Sequence, residues 1–343
     1  MDLNKTILIN LLKHDEKEKA ISFLLDKIHF NKNDYFCTKF IDLVGLNINY
    51  YSELIDCFNT IIYSNKTSNN QKIKARFLLC KLQLLVGDYN FAKKNLETLK
   101  KNNDIKNEVL LELSLLDYYN FNYSSSMHYL NKIPLDINNY YYFQILFNIK
   151  IKTNDYEGAL SLFNDLNINS PHYIQIIYLE IKFKNYEKAY KHLLQLIKYN
   201  HSNYNGVELQ RIEYFLSHKL NIKSIFDYKT YSINQMINYN KEQCLEHLLN
   251  HKNENEEKTI HSVFTKRINV NDLYDDIKAK LSTSKPYKFN LADKYLIDMN
   301  YTVGKVCDFK TTKLEVVTAV NTKDIITVYP NLSHYSLSKQ IKK

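Results

Sequence analysis

The stretch Gly87-Asp88-Tyr89-Asn90-Phe91-Ala92, followed by Leu96 and Leu99, carries the pattern that organises most of the chain. A tyrosine is followed three residues later by a small residue, four further on by an apolar one, and three further on by another. The same order recurs at Tyr123, Ser126, Leu130 and Ile133, and at Tyr156, Ala159, Phe163 and Leu166, where Pro171 closes the unit. It recurs again at Tyr186, Ala189, Leu193 and Leu196. Successive tyrosines stand 34, 33 and 30 residues apart. Two looser copies precede them: Ala20 with Leu24, and Tyr51 with Leu54, Phe58 and Ile61.

The small residue and the apolar residues at +4 and +7 from it fall on one face of a helix. A small side chain lets the second helix of a hairpin approach the first closely, and the tyrosine falls at the turn between them. A single hairpin cannot bury its apolar face, so neighbouring hairpins stack into a solenoid. The pattern resembles the tetratricopeptide repeat, a 34-residue helix–turn–helix unit, over about residues 1–200. In the best copy Leu79 and Cys80 stand at that family's Leu and small first-helix positions. The small first-helix slot holds Phe147 and Ile177 in later copies, and the chain has no Trp. The resemblance implies a right-handed solenoid and a peptide or protein partner on its concave face, or else a scaffold that holds the C-terminal part.

Composition agrees. Only 5 Gly and 4 Pro occur in 343 residues, too few for a turn-rich all-β protein, and 45% hydrophobic residues argue against whole-chain disorder. The formal charge is +9. From Lys252 onward 16 Lys/Arg face 11 Asp/Glu, so the excess is denser there. A basic balance suits nucleic acid or an anionic surface, and it is also what an Asn-, Lys-, Ile- and Tyr-rich composition from AT-rich codons would give. The runs of Tyr and Phe around Tyr140-Tyr141-Tyr142-Phe143 read as core rather than as base-stacking platforms. Five scattered cysteines, Cys37, Cys57, Cys80, Cys244 and Cys307, never form a CxxC pair and read as reduced thiols of a cytoplasmic protein. The apolar run Ile7 to Leu12 is too short for a signal peptide, and no run of about 18 apolar residues predicts a membrane span.

The helical pattern continues through 207–220 and 239–251, and the polar segment Asn253 to Lys258 then breaks it. Beyond it, one amphipathic helix carries Leu273, Ile277 and Leu281 on one face, with Asn271 or Asp272 as its expected cap. β-rich runs come next at Tyr295–Ile297, Thr302–Val306, Lys313–Thr318 and Asp324–Tyr329, the last two joined as a hairpin. The fold class expected is therefore mainly α, a tetratricopeptide-like solenoid over 1–252 followed by a small α+β domain over 256–343.

Three histidines lie close in sequence: His247, His251 and His261. His247 and His251 are four apart on an expected helix with Cys244 one turn earlier, a spacing compatible with metal ligation but not the HExxH order. Neither a metal nor an organic cofactor is expected. The C-terminal order of a histidine-bearing segment, a short helix and a sheet ending Ile326-Thr327-Val328-Tyr329-Pro330 resembles small toxin ribonucleases of the RelE- and barnase-like class. That resemblance covers about residues 244–330. It implies His261 as general acid or base on the ribose 2′-OH, Lys266 or Arg267 at the phosphate, and Thr327 and Tyr329 as phosphate contacts. Two readings stand: a cytoplasmic, non-enzymatic interaction scaffold, and an RNA-cleaving or RNA-binding domain carried on helical repeats. No glycine-rich phosphate loop, Ser/His/Asp signature or carboxylate cluster points to another enzyme class.

Overall fold

The computed structural model describes residues 3–134, 140–163, 173–199, 206–225, 241–250, 262–265, 268–289, 292–320 and 323–334. The described residues divide into two compact units, 3–116 and 117–334. The first holds α1 (Leu3–Lys13), α2 (Lys17–Asn31), α3 (Asp34–Val44), α4 (Tyr51–Tyr63), α5 (Asn69–Val86), α6 (Tyr89–Leu99) and most of α7 (Lys106–Tyr119). From α1 to α6 each helix packs on the next. Their starts are set locally. Asn33 accepts from the Tyr35 N–H, Ser68 and Gln71 form a reciprocal capping box, and Asp88 accepts from the Phe91 N–H.

The tyrosine of each clear repeat opens the second helix of a hairpin. It does so at α6, α8 (Tyr123–Leu130), α10 (Tyr156–Ser161) and α12 (Tyr186–Tyr199). Two residues before that tyrosine the backbone turns left-handed, at Gly87 (φ 87°), Phe121 (61°), Asn154 (59°) and Lys184 (62°). Asp15 (56°) does the same between α1 and α2. The next N–H reaches back over the turn to a carbonyl five residues earlier: Asp88 to Gln83, Asn122 to Asp117, Asp155 to Lys150 and Asn185 to Glu180, at 2.8–3.0 Å. This is the Schellman closure, and only the first copy places glycine at its left-handed position. The close helix crossings hold Ala92, Ser126, Ala159 and Ala189, all with no exposed surface. Phe147 and Ile177 are buried too, so the later repeats fill the small slot with core side chains. Leu166 and Pro171 lie outside the described residues.

The second unit continues with α9 (Tyr140–Lys152), α11 (Ile174–Lys182) and α13 (Gly206–Leu220), whose apolar faces share one cluster. Tyr142 and Phe143 are buried, as expected of core aromatics, while Tyr141 is exposed. Successive hairpins are also tied by polar contacts: the Tyr156 hydroxyl donates to Glu180 (3.0 Å) and that of Tyr190 to Glu213 (3.2 Å).

The α+β part comprises α14 (Lys241–Asn250), β1 (Ser262–Phe264), α15 (Val270–Thr283), β2 (Lys288–Phe289), β3 (Ala292–Asp298), β4 (Gly304–Val306), β5 (Phe309–Thr311), β6 (Lys313–Ala319) and β7 (Ile325–Pro330). Among the described residues the strand pairings are antiparallel, in two sheets ordered β1-β4-β5 and β2-β3-β6-β7. The cap of α15 is Asn269, not Asn271 or Asp272: its side chain accepts from the Asn271 N–H, so the helix starts earlier than expected. The strands β1, β2 and β5 are two or three residues long, too short for alternation to mark them in the sequence. Gly304 is a point of close approach. A Cβ there would lie 2.3 Å from the Val263 carbonyl oxygen and 2.7 Å from Cγ of Pro330. Among the described residues no helix is long and apolar enough to cross a membrane.

Candidate functional site

Strand alternation sends successive side chains of β3, β6 and β7 to opposite faces of the four-stranded sheet. One face is apolar. Tyr295, Ile297, Leu314, Val316 and Val328 pack there with Cys244 and Leu248 of α14 and with Leu273, Ile277 and Leu281 of α15. Burial in that core pushes the Cys244 thiol up to about 11, so it is a core residue in the protonated form. The opposite face carries Glu315 and Val317 of β6, Lys294 of β3, and Thr327 and Tyr329 of β7, with Glu315 paired to Tyr329 and Val317 to Thr327.

Glu315 is the centre of this face and has no exposed surface. Four donors converge on its carboxylate. Lys294 Nζ (2.7 Å) and the Tyr329 hydroxyl bind Oε1, and the Tyr287 hydroxyl (2.8 Å) and Asn331 Nδ2 (2.8 Å) bind Oε2. Burial alone would raise its pKa. The Lys294 ammonium and the hydrogen bonds from Lys294, Tyr329 and Tyr287 outweigh burial and hold it below the ordinary carboxylate range. The same burial and the neighbouring carboxylate push both phenols upward, so Tyr287 and Tyr329 keep their protons and act as donors. A buried carboxylate engaged by four donors is a positioning group, not a base. It fixes the directions of one ammonium and two phenols on the sheet face.

Beside it lies a ring cluster. His334 stacks flat against Tyr119 (centroids 5.3 Å, planes 9° apart) and meets Tyr287 edge-on at 4.9 Å. Burial pushes this imidazole down to about 4, with Lys313 acting in the same direction and Glu315 against it. The Tyr118 hydroxyl donates to the Tyr287 carbonyl at 2.5 Å. On the β3 side, Lys182 at the end of α11 reaches Asp293 at 3.4 Å. Lys152 at the end of α9 is pushed down to about 8, chiefly by burial.

Of the residues singled out in the sequence, Thr327 and Tyr329 do share one sheet face, and Tyr329 belongs to the Glu315 network. His251, His261, Lys266 and Arg267 lie outside the described residues, as does the side chain of His247 on α14. Sequence reasoning missed Glu315, Lys294, Tyr287, Asn331 and His334. One signal was present, a lone carboxylate inside the two-sided apolar run Leu314-Glu315-Val316-Val317, where an ion is tolerated only if it is paired.

Residues 237–326 match the family described as Bacterial toxin 50, an interval that takes in α14, α15 and the strands through the start of β7. Among solved structures the chain is similar to a tetratricopeptide repeat protein from Parabacteroides merdae, with 14% identity over 64% of this chain and 86% of that one, at a TM-score of 0.49. It is also similar to PilF of Pseudomonas aeruginosa, with 12% identity over 64% and 84% and a TM-score of 0.37. No curated protein matches it. The chain joins tetratricopeptide-like helical hairpins to a C-terminal segment that matches a bacterial toxin family.

Proposed function

We propose that the chain is a helical-repeat protein whose C-terminal α+β module acts on RNA in the cytoplasm, with the Glu315 face of the sheet as its working surface. The reading rests first on the toxin-family match over 237–326. The observation that carries it to chemistry is Ser262, whose hydroxyl donates to the Pro330 carbonyl at 2.6 Å. The residue that comes after His261 in the sequence is thereby tied to the end of the strand bearing Thr327 and Tyr329. In this reading His261 takes the 2′-OH proton as the 2′-oxygen attacks phosphorus, and the P–O5′ bond breaks with the 5′-oxygen taking a proton from water, leaving a 2′,3′-cyclic phosphate. Lys266 or Arg267 offsets charge at the phosphate, and Thr327 and Tyr329 hydrogen-bond its oxygens. Glu315 fixes Lys294 beside them, and Tyr329, which has one hydroxyl hydrogen, gives up its bond to Glu315 to donate to the phosphate. The helical repeats before α14 carry a groove for a peptide or protein partner. The module's edge is drawn at α14 rather than at residue 256, because Cys244 and Leu248 pack into its core.

The test is cleavage of labelled RNA by the purified full chain at low salt, with and without divalent metal. Cleavage is expected, and His261→Ala is expected to reduce it about 10²–10⁴-fold, the usual contribution of a positioned acid or base. Intact RNA under all conditions would overturn the reading. The scaffold reading, in which the chain binds partners and cleaves nothing, is favoured by the repeat architecture alone and would then stand.

A further inference from the structure

We infer that a cleft at the shared end of α2 and α4, in the first unit, binds single-stranded nucleic acid, with lysines for the phosphates and two exposed rings for the bases. One wall is the α2–α3 turn and the first turns of α3, from Lys32 to Lys39. The other is the link from α4 into α5, from Ser64 to Gln71. Both α2 and α4 pack on α3, and the residues that follow each of them line the same cleft, so their C-terminal ends lie side by side. The left-handed tyrosine turns lie within hairpins. This cleft lies between successive hairpins. Its volume is about 690 Å³, within the range of cavities that hold small ligands.

The chemistry of the walls selects the class of ligand. Three lysines line the cleft, Lys32, Lys39 and Lys66, against one carboxylate, Asp34, a net charge of two positive. Lys32 and Lys66 are exposed, one on each wall. Lys39 meets Asp42 only at 3.6 Å, a loose surface pair that yields to a better anion. Asp34 is already engaged, because the Ser64 hydroxyl donates to it at 2.5 Å and joins the two walls. The other lining side chains are neutral hydroxyls and amides, among them Thr38, Asn65 and Gln71. No aliphatic side chain lines the cleft among the described residues, so it is not a groove for the apolar face of a helix.

The rings decide between anions. Phe30, in the last turn of α2, is 88% exposed, and Tyr63, the last residue of α4, is 79% exposed. Phe30 stands two residues before Lys32 and Tyr63 three before Lys66, so both walls carry the same order, an exposed ring and then a lysine. The ring of Tyr35, also on the first wall, is already taken, because Lys5 Nζ lies over it at 4.7 Å. That contact brings a fourth ammonium beside the cleft. An acidic peptide would use the lysines and leave Phe30 and Tyr63 in water. A single strand uses both, because its phosphates are regularly spaced anions and every base has a face that stacks on an aromatic ring.

The site lies outside the Glu315 face and does not depend on cleavage. Its test uses the full chain and a labelled deoxythymidine oligonucleotide of about 20 nucleotides, longer than the usual single-strand site. This probe has no 2′-OH and survives the proposed reaction. Binding is followed by fluorescence anisotropy over a series of salt concentrations. Lys32→Gln/Lys66→Gln should weaken it about tenfold at low salt and lower the slope of log affinity against log salt by about 1.4, the loss of two phosphate contacts. Phe30→Ser/Tyr63→Ser should weaken it by about tenfold or more with the slope unchanged, the signature of lost stacking. Removing the same charge on and after α6, in Lys94→Gln/Lys101→Gln, should change neither quantity. All six positions are exposed, so the unfolding midpoint should stay where it is. No binding by the unaltered chain overturns the site, as does an equal loss in the Lys94/Lys101 control. Weaker binding in the lysine variant with none in the ring variant assigns the cleft to an acidic segment and overturns the nucleic-acid assignment. Cleavage of labelled RNA is measured separately. Oligonucleotide binding that both variants weaken, with no cleavage, keeps this site and overturns the proposed reaction. Cleavage with binding that neither variant changes does the reverse.

Discussion

The helical repeats and the C-terminal sheet solve the same problem, burying a helix or strand on all sides, by opposite means. In the repeats the solution is distributed. A left-handed turn and a small residue recur in each clear copy, and neighbouring copies share the same kind of packing. In the sheet it is concentrated. One carboxylate with four donors organises a whole face, and residues far apart in sequence meet around it. A distributed solution tolerates the loss of any one element, because stability is roughly a sum over units. A concentrated one fails when its centre is removed.

The sharpest way to break that contrast is Glu315→Ala. It leaves the Lys294 ammonium, two phenols and an amide without their shared acceptor in a buried site. The expected loss is about 3–5 kcal/mol, read from the midpoint of chemical denaturation. Glu315→Gln, which keeps an acceptor oxygen, should lose less. If Glu315→Ala costs no more than a repeat substitution, the concentrated description is wrong.

Acid comes next. His334 is held at about 4, below its ordinary value, and Glu315 is also held low. A depressed pKa in the folded state means that the unfolded chain binds the proton first, so stability is full above the ordinary value and falls as pH drops towards the folded one. The His334 contribution, up to about 3 kcal/mol, should be lost between about pH 6.5 and 4, and that of Glu315 below about pH 4.5. Denaturation midpoints across this range check it. In His334→Phe, which keeps a ring against Tyr119, the decline between about pH 6.5 and 4.5 should flatten.

Within the repeats the effects are smaller. Ala159→Leu overpacks a helix crossing and should cost about 1–3 kcal/mol in thermal or denaturant unfolding. At the left-handed turns the sign depends on the copy. Gly87→Ala should cost about 1 kcal/mol, and Lys184→Gly, at the equivalent turn, should stabilise by up to about 1 kcal/mol in the same measurement. Equal responses at the two positions would mean that the turns are not equivalent.

The contrast also explains what can be read from the sequence. Periodicity exposes distributed structure. The tyrosines mark the helix starts at 89, 123, 156 and 186, and the small residues three positions later mark the crossings. The turns are half hidden, because Phe121 and Lys184 adopt a conformation that Gly87 and, less strongly, Asn154 advertise. In the sheet, Thr327 and Tyr329 stand out through the ending Ile326-Thr327-Val328-Tyr329-Pro330, which resembles that of small toxin ribonucleases. Lys294, Tyr287, His334 and the α7 tyrosines do not, because nothing local links residue 118 to residue 287 or residue 119 to residue 334. Those contacts are properties of the fold, and a lone Glu in an apolar run is their only trace.

Gly304 has a mechanical consequence. At that point the strand backbones of β1 and β4 and the ring of Pro330 meet with less room than a single methyl group needs. A side chain at 304 would have to push the Pro330 ring and the Val263 carbonyl aside, wedging the end of β7 away from β1 at the place where the two sheets meet, so any substitution there would part them.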